Sequence, residues 1–246
     1  MKTIAIEVNN LNKSYKNALA VKSMNFKINK GQTIGLLGPN GCGKSTTIGM
    51  LLGLIKPTSG NVIINGQNME NYRTKLLQKM NFISPYIELP KKLTIEENLK
   101  VYGTMYGVKN LNDKILELME MLNLMDFKKR KTGELSSGQK NRVSLAKAFI
   151  NDPEILLLDE PTASLDPDVG DYVRGIIENF SSNQNKTILI ASHNMNEVER
   201  LCDEVMMMKN GEIIDMGKSV DLISKHGKKN LEDFFLKIVR EKNEIL

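Results

Sequence analysis

With 246 residues, of which 41% are hydrophobic and 26% charged, the sequence has the composition of a folded globular protein and not that of a disordered or membrane-spanning chain. The length is enough to bury a core and allows one large α/β domain or two small ones. The net charge of +5 would suit an anionic partner, but aromatic residues make up only 5% of the sequence. The one dense basic run, residues 128–131, contains no aromatic residues that could stack on bases. We therefore expect a solvated loop there and no nucleic-acid partner.

The two cysteines, Cys42 and Cys202, are too few for a disulfide framework and fit a reducing compartment. The N-terminal segment MKTIAIEVNNLNKSYK is too polar for a signal peptide, and no stretch approaches the ~18 consecutive apolar residues of a membrane helix. We therefore expect a cytoplasmic protein that lies at the inner face of a membrane only through a partner.

Short apolar segments predict β-strands along most of the chain. In chain order they are IAIEV, MNFKI, TIGLL, VIIN, ILLLD, TILIAS, VMMMK and EIIDM. The continuous apolar segments are typical of buried parallel strands, whereas KSMNFKINK alternates and indicates an antiparallel strand with one exposed face. Together they predict an α/β fold with a mixed sheet.

Helical patterns dominate two other parts of the chain. An inserted helical subdomain is expected at about residues 85–150, where TIEENL contains a capping box between Thr94 and Glu97. A helical tail is expected at about residues 217–246, with the apolar face of LEDFFLKIV packed against the main body. Because no repeat or low-complexity linker interrupts the chain, residues 1–246 are predicted to form a single domain.

The segment GPNGCGKST matches a phosphate-binding loop, because it lies between the predicted strand TIGLL and the helical TTIGMLLGLI and ends its glycine pattern with Lys-Ser. Glycines let the backbone amides wrap a phosphate, and the following helix directs its partly positive end at the same anion. We expect Lys44 to contact the β- and γ-phosphates and the Ser45 hydroxyl to bind Mg²⁺. A chance glycine-rich turn is the alternative, which the flanking strand and helix disfavour. The predicted nucleotide-binding residues are Gly38, Pro39, Asn40, Gly41, Cys42, Gly43, Lys44, Ser45 and Thr46.

Cys42 allows two interpretations. Amides at a helix start lower the pKa of a thiol, which would suit a catalytic thiolate. However, no histidine-bearing segment adjoins Cys42 and phosphoryl transfer needs no thiol, so a passive loop residue is the preferred interpretation.

Two acidic residues follow a buried strand in EILLLDEPTASLDP. Asp159 and Glu160 come at the C-terminal end of that strand, where open α/β sheets bind ligands. We expect Asp159 to hold Mg²⁺, directly or through water, and Glu160 to polarise the water that attacks the γ-phosphate. An acidic strand end with only a capping role is the alternative.

His193 follows the next buried strand, TILIAS. If this strand lies in the same sheet, its end adjoins the phosphate site, and we assign His193 to contacting the γ-phosphate and orienting the attack. A structural histidine is the alternative. The other histidine, His226 in SKHGKKN, is expected at the surface.

A second glycine-bearing turn, ELSSGQKN, precedes another predicted helix and has the chemistry of a phosphate-binding site. With GPNGCGKST, LSSGQ, ILLLDE, SLD and SH in this order, the sequence resembles the ATP-binding cassette (ABC) ATPases over nearly its whole length. LSSGQ ahead of a long helix is the most specific of these motifs. The resemblance implies a P-loop NTPase fold, in which a mixed sheet core carries an antiparallel β subdomain and an inserted helical subdomain.

Further site residues are assigned only by this resemblance. It implies that two copies, or this chain and a paired ABC subunit, associate head to tail, so that each ATP lies between the phosphate loop of one subunit and the LSSGQ turn of the other. Tyr15 is implied to stack on adenine, with an ordinary strand tyrosine as the alternative, and Asp166 in SLD to contact the opposite subunit. The residues implied to bind the ATP of the other subunit are Ser136, Ser137, Gly138 and Gln139.

The sequence departs from the family pattern at one position. Where a glutamine usually links magnesium to the membrane partner, FISPYIELPKKLT has Ser84 or Pro85. Ser84 is still able to contact the metal through water, but direct ligation and coupling by a glutamine are lost.

The resemblance predicts the ATP-hydrolysing subunit of an ABC transporter that drives a separate permease docked at about residues 84–103. The single cassette and the LEDFFLKI tail favour bacterial exporters of the ABC-2 type. One alternative is a soluble ABC ATPase acting on ribosomes or nucleic acid, which the lack of sustained heptads disfavours. Another is a regulatory partner that binds ATP but hydrolyses little, which Glu160 and His193 argue against.

Overall fold

The computed structural model describes residues 3–16, 18–85, 87–163, 165–182 and 186–240. The strands are β1 (Ile4–Tyr15), β2 (Ala18–Asn29), β3 (Thr33–Leu37), β4 (Ser59–Ile64), β5 (Gln67–Asn68), β6 (Met80–Ile83), β7 (Ile155–Asp159), β8 (Thr187–Ser192), β9 (Glu204–Lys209) and β10 (Glu212–Gly217). The helices are α1 (Lys44–Leu51), α2 (Met69–Leu77), α3 (Ile95–Met105), α4 (Leu111–Met121), α5 (Ser137–Phe149), α6 (Pro167–Ser182), α7 (Met195–Leu201), α8 (Ser219–Lys225) and α9 (Leu231–Arg240). Within this described part of the chain, none of the helices has the length and apolarity needed to cross a membrane.

Two sheets form the scaffold. The six-stranded sheet has the order β10-β9-β3-β8-β7-β6, and its neighbours are parallel except for β10, which pairs antiparallel with β9. The smaller sheet, β2-β1-β4-β5, is antiparallel throughout. The predicted mixed sheet core with an antiparallel β part is therefore confirmed.

The central strands are continuously apolar because both of their faces are covered. All residues of β3, β7 and β8 are buried. In β7, Leu157 contacts the cluster shared with α1 and the antiparallel sheet, whereas Leu156 and Leu158 contact the cluster shared with α3 to α6. The antiparallel sheet with α1 on one side and helices α3 to α6 on the other thus cover opposite faces of the core sheet.

The inserted helical part begins with the predicted capping box. Thr94 Oγ1 accepts a hydrogen bond from Glu97 N at 3.2 Å, and Glu97 Oε2 accepts one from Thr94 N at 2.8 Å. Behind this cap, Leu99 of α3, Leu118 of α4 and Leu145 of α5 belong to one buried cluster. These contacts fix the start of α5, which carries the LSSGQ turn, relative to the core sheet.

The C-terminal helices pack on the core sheet, as the apolar face of LEDFFLKIV predicts. Leu231, Phe234 and Ile238 of α9 are buried in a cluster with Leu37 of β3 and Val205 of β9. This cluster lies behind the strand that leads into the phosphate loop.

Two strands and one histidine differ from the expectations. β5 and β6 were not predicted because they have only two and four residues, too few to give a periodic signal. His226, expected at the surface, is half-buried: its ring stacks on Phe234 with centroids 4.3 Å apart, and Nε2 lies 2.8 Å from Asp215 Oδ2. The surface expectation is wrong because the ring has an apolar face that can cover a buried aromatic residue.

Candidate active site

The segment between β3 and α1 forms the loop predicted to bind phosphate. Gly41 and Gly43 have φ values of +78° and +109°, in the region that favours glycine. A Cβ on Gly43 would lie 2.4 Å from the carbonyl oxygen of Ala20. A Cβ on Gly38 would lie 2.4 Å from the carbonyl oxygen of Met208. The loop therefore requires glycine at these positions, as does a backbone that closely approaches a phosphate.

Lys44 lies within this loop. The residue is only 6% exposed, and Nζ donates to the carbonyl oxygens of Gly38 at 2.6 Å and Pro39 at 3.3 Å. Both acceptors are neutral, so the positive charge of Lys44 remains available to an anion bound at the loop.

Asp159, the last residue of β7, lies beside the start of α1. Burial raises the pKa of its carboxyl above the ordinary value, while a hydrogen bond from the Ser45 hydroxyl and the charge of Lys44 lower it. A hydroxyl and a carboxylate are oxygen ligands of the kind that Mg²⁺ prefers. A bound cation would also compensate the buried carboxylate, so Ser45 and Asp159 fit a magnesium ion.

Glu160 and His193 meet at the ends of neighbouring strands. β7 and β8 pair with Asp159 opposite Ala191, and Glu160 N donates to the Ala191 carbonyl oxygen at 2.8 Å. His193 Nδ1 lies 2.8 Å from Glu160 Oε1. The side chain of Glu160 is 14% exposed and that of His193 is 55% exposed, so the carboxylate lies deeper than the ring. The inference that the strand before His193 lies in the same sheet, with its end beside the phosphate loop, is confirmed by the pairing of β8 with β3.

These groups line one cavity of about 520 Å³. Its walls come from β2, the phosphate loop, the start of α1 and the segments that follow β6, β7 and β8. The lining residues are Ala20, Asn40, Gly41, Gly43, Lys44, Ser45, Thr46, Pro85, Asp159, Glu160, Ala163 and His193. The fold thus brings together the lysine loop, both acidic residues and the histidine from separate parts of the chain.

Three residues of the predicted loop do not line this cavity. Gly38 and Pro39 contribute the carbonyl groups that hold Lys44. Cys42 is buried, and this burial raises the pKa of its thiol although the nearby Lys44 charge lowers it. The direction is opposite to that required of a catalytic thiolate, which favours the passive interpretation.

The LSSGQ turn lies outside the cavity. Ser136 Oγ accepts a hydrogen bond from Gln139 N at 3.3 Å, and Gln139 Oε1 accepts one from Ser136 N at 3.0 Å. Ser136 and Ser137 are both exposed. Because this capping box occupies the side chains of Ser136 and Gln139, the Ser137 hydroxyl and the Gly138 amide are the better placed donors to an outside ligand.

Two other predicted contacts also lie outside the lining. Tyr15 ends β1 and is 44% exposed, with Lys13 Nζ 4.9 Å from its ring centroid. Asp166 is exposed just before α6, and its carbonyl oxygen accepts a hydrogen bond from Gly170 N. Ser164, which begins the SLD motif, lies outside the described residues. The adenine and subunit contacts of these residues stay predictions.

Sequence reasoning did not find several residues around the site. Ala20 and Ala163 line the cavity, but a small apolar side chain gives no chemical signal in a sequence. At the position of the usual glutamine, Pro85 lines the cavity and Ser84 lines a smaller one beside it. Glu197 is a buried acidic residue four positions after His193. Its place in a helix could have been predicted only from Asn194, three residues earlier, which has the character of a helix N-cap.

Comparisons with known proteins agree with this geometry. The family model described as ABC transporter matches residues 21–163. The linearmycin resistance ATP-binding protein LnrL of Bacillus subtilis (strain 168) is 35% identical over 224 residues, covering 90% of this chain and 72% of that protein. Nod factor export ATP-binding protein I of Rhizobium sp. (strain N33) is 36% identical over 229 residues, covering 92% of this chain and 75% of that protein.

Solved structures show the same fold. An ATP-binding cassette solved as a dimer in a post-hydrolysis state, bound to ADP and Pi, has 28% sequence identity and a TM-score of 0.81 and covers 87% of this chain and 98% of its own. The family match spans the phosphate loop, the LSSGQ turn and both acidic residues. The chain therefore belongs to the ABC transporter family, as an ATP-binding subunit with ATPase activity.

Proposed function

We propose that this chain is the ATP-hydrolysing subunit of a membrane exporter, which works as a head-to-tail dimer around two ATP molecules and drives a separate permease. The observation that carries the proposal is the separation of the two phosphate-binding elements. The lysine loop lines the cavity with Asp159, Glu160 and His193, whereas the LSSGQ turn does not; its Ser136 and Ser137 are exposed, and Ser137 lines only the smaller cavity beside it. A donor-rich helix start of this kind can serve the nucleotide of a second copy or of a paired ABC subunit.

The residues of the cavity divide the chemistry between them. Lys44 and the amides at the start of α1 bind the β- and γ-phosphates. Ser45 and Asp159 hold Mg²⁺, which when bound neutralises phosphate charge. Glu160 accepts a proton from the attacking water, and His193, 2.8 Å from Glu160, orients the γ-phosphate. The water oxygen bonds to the γ-phosphorus as the bond to ADP breaks, which gives ADP and phosphate.

Two further observations support an exporter subunit. The names of two relatives that align with most of this chain state linearmycin resistance and Nod factor export. On α3, Val101 lies in the region predicted to dock the permease and is 44% exposed, and Met105, one turn further along and just beyond that region, is 70% exposed, so the helix presents apolar surface there. Through that permease the chain lies at the cytoplasmic face of the membrane.

The substitution Glu160→Gln tests the catalytic assignment. It removes the proton acceptor but keeps the size of the side chain, so we expect ATP binding to persist and phosphate release to fall by roughly 100-fold or more. The variant should also accumulate as a dimer with ATP, which size-exclusion chromatography with light scattering would detect. Glu199→Gln, at an exposed position of α7, is the matched control. Normal phosphate release by Glu160→Gln would refute the assignment.

Mixing two inactive variants tests the shared site. In a heterodimer of Ser137→Arg and Lys44→Ala subunits, one composite site keeps an intact lysine loop and an intact LSSGQ turn, while the other has lost both. We expect ATPase activity to appear on mixing. Its complete absence would count against two independently working composite sites. Co-purification with ribosomes in place of a polytopic membrane protein would favour the soluble alternative.

A further inference from the structure

We propose that Glu197 is a positioning residue for the catalytic pair, and that it holds Glu160 and His193 in place through the chain segments beside them. The inference rests on the proposed function, because it assumes that Glu160 and His193 act on ATP.

Glu197 is a buried carboxylate to which the chemistry above gives no role. It lies in the first turn of α7 and is 1% exposed. Its Oε2 accepts a hydrogen bond from the Ser192 hydroxyl at 2.6 Å, and its Oε1 accepts one from the Thr162 hydroxyl at 2.7 Å. Each carboxylate oxygen therefore holds one hydroxyl group.

The two hydroxyl groups belong to the segments that carry the catalytic pair. Ser192 immediately precedes His193, and Thr162 follows Glu160 by two residues. Through its two oxygens, Glu197 joins Thr162, in the segment after β7, to Ser192, the last residue of β8. One carboxylate thus holds the backbone beside both His193 and Glu160, whose side chains lie 2.8 Å apart.

Glu160 needs this support because its backbone is in a sparsely populated conformation. Its φ is +51°, and a non-glycine residue stays in this region only where the surrounding structure fixes it. On one side, Asn141 Nδ2 of α5 donates to the Pro161 carbonyl oxygen at 2.8 Å. On the other side, the segment is held by the Thr162 bond to Glu197.

The buried carboxylate of Glu197 is better suited to holding hydrogen-bond partners in place than to filling space in the core. A buried charge is costly unless it is well hydrogen-bonded, and an apolar side chain would fill the same space without that cost. Burial raises the pKa of the Glu197 carboxyl, as does the negative charge of Glu160, while the hydrogen bonds from Ser192 and Thr162 and the positive charge of Arg174 lower it. The side chain therefore contributes geometry at the catalytic pair.

Two substitutions in the full-length chain provide the test: Thr162→Val removes one hydroxyl, and Glu197→Gln replaces one of the two acceptor oxygens by a donor. We expect Thr162→Val and Glu197→Gln to lower kcat by roughly 10- to 100-fold, because a small displacement of a catalytic group is enough for such a loss. The Kd for ATP should change by less than about threefold, because these substitutions leave the contacts between the lysine loop and the ATP phosphates unchanged. Thr162→Ser keeps the hydroxyl and should restore turnover. Glu199→Gln makes the same change as Glu197→Gln two residues away at an exposed position and should behave as wild type.

The outcomes separate this inference from the proposed function. Turnover within about twofold of wild type in folded Thr162→Val would overturn it, as would an equal loss of kcat and ATP affinity or a failure of Thr162→Ser to restore turnover. If Glu197→Gln does not fold, the two Thr162 variants decide the question. A stalled Glu160→Gln beside a fully active Thr162→Val refutes the inference alone. Normal turnover by Glu160→Gln refutes the catalytic assignment made in the proposed function, and the inference with it.

Discussion

Replacing Lys147 by methionine should change how the stability of this protein depends on pH. Lys147 lies in α5, where Nζ donates to Asn81 Oδ1 at 3.1 Å and to the Phe82 carbonyl oxygen at 2.9 Å. The ammonium also lies 4.6 Å from the centroid of the Phe82 ring. Burial lowers the pKa of Lys147 from its ordinary value of 10.5 to about 8.

The direction of the effect follows from proton binding. Between the folded pKa of about 8 and the unfolded value of 10.5, the unfolded chain holds a proton that the folded protein has released. The free energy of unfolding therefore rises with pH across this window. At about 1.4 kcal/mol for each tenfold change in proton affinity, the buried charge costs about 3 kcal/mol at neutral pH, and ~2 kcal/mol of this is recovered by about pH 9.5.

Denaturant unfolding followed by circular dichroism, from about pH 7 to about pH 9.5, measures this recovery. Wild type should gain ~2 kcal/mol relative to Lys147→Met over the range, because methionine has no proton to release. Lys140→Met makes the same change at an exposed position of α5 and should stay at a constant difference from wild type. A difference between wild type and Lys147→Met that is constant within about 0.5 kcal/mol would refute the reasoning.

Three further substitutions test the loop and the tail. Lys44→Ala should weaken ATP binding by roughly 10- to 100-fold through the loss of charge-assisted hydrogen bonds, measured with a fluorescent ATP analogue, and unchanged affinity would contradict its phosphate role. Gly43→Ala places a Cβ 2.4 Å from the Ala20 carbonyl oxygen at a residue with positive φ, so it should lower the free energy of unfolding by about 1–3 kcal/mol. A thermal unfolding midpoint equal to that of wild type would be inconsistent with this clash. Phe234→Ala removes a fully buried ring and should cost about 3–5 kcal/mol in denaturant unfolding, more than the half-buried Phe235→Ala. Equal costs would show that α9 is not anchored by Phe234.

Sequence patterns predict those strands and helices whose apolar pattern lies within one short segment of the chain. β3, β7 and β8 were predicted because burial on both faces produces an uninterrupted apolar run. β6 was not predicted, because Met80–Ile83 becomes a strand through its pairing with β7. The two segments are far apart in sequence, so no local pattern indicates this pairing. The burial of Lys147 has the same origin: β6 and the Tyr102 ring of α3 enclose it, and neither is near it in sequence.

The same distinction applies to the site. The phosphate loop was predicted because its glycines, lysine and serine are contiguous. The placement of His193 beside the phosphate site required one further inference, that its strand lies in the same sheet, since the carboxyl ends of parallel strands lie at one edge of the sheet. Ala20 and Glu197 were missed because their places depend on tertiary contacts. For Cys42 the preferred passive interpretation agrees with the structure, where burial raises the pKa of the thiol although the Lys44 charge lowers it.

Helix α5 connects the two halves of the proposed mechanism. Ser137 begins the helix, and one turn later Asn141 donates to the carbonyl oxygen of Pro161, the residue after Glu160. Further along, Lys147 donates to β6, the strand that leads into Pro85 at the cavity wall. Because hydrogen bonds within the helix hold these positions in a fixed relation, a displacement of α5 moves the LSSGQ turn and the support of Glu160 together. In the proposed mechanism, α5 thereby links Glu160 to the turn that a second subunit would engage.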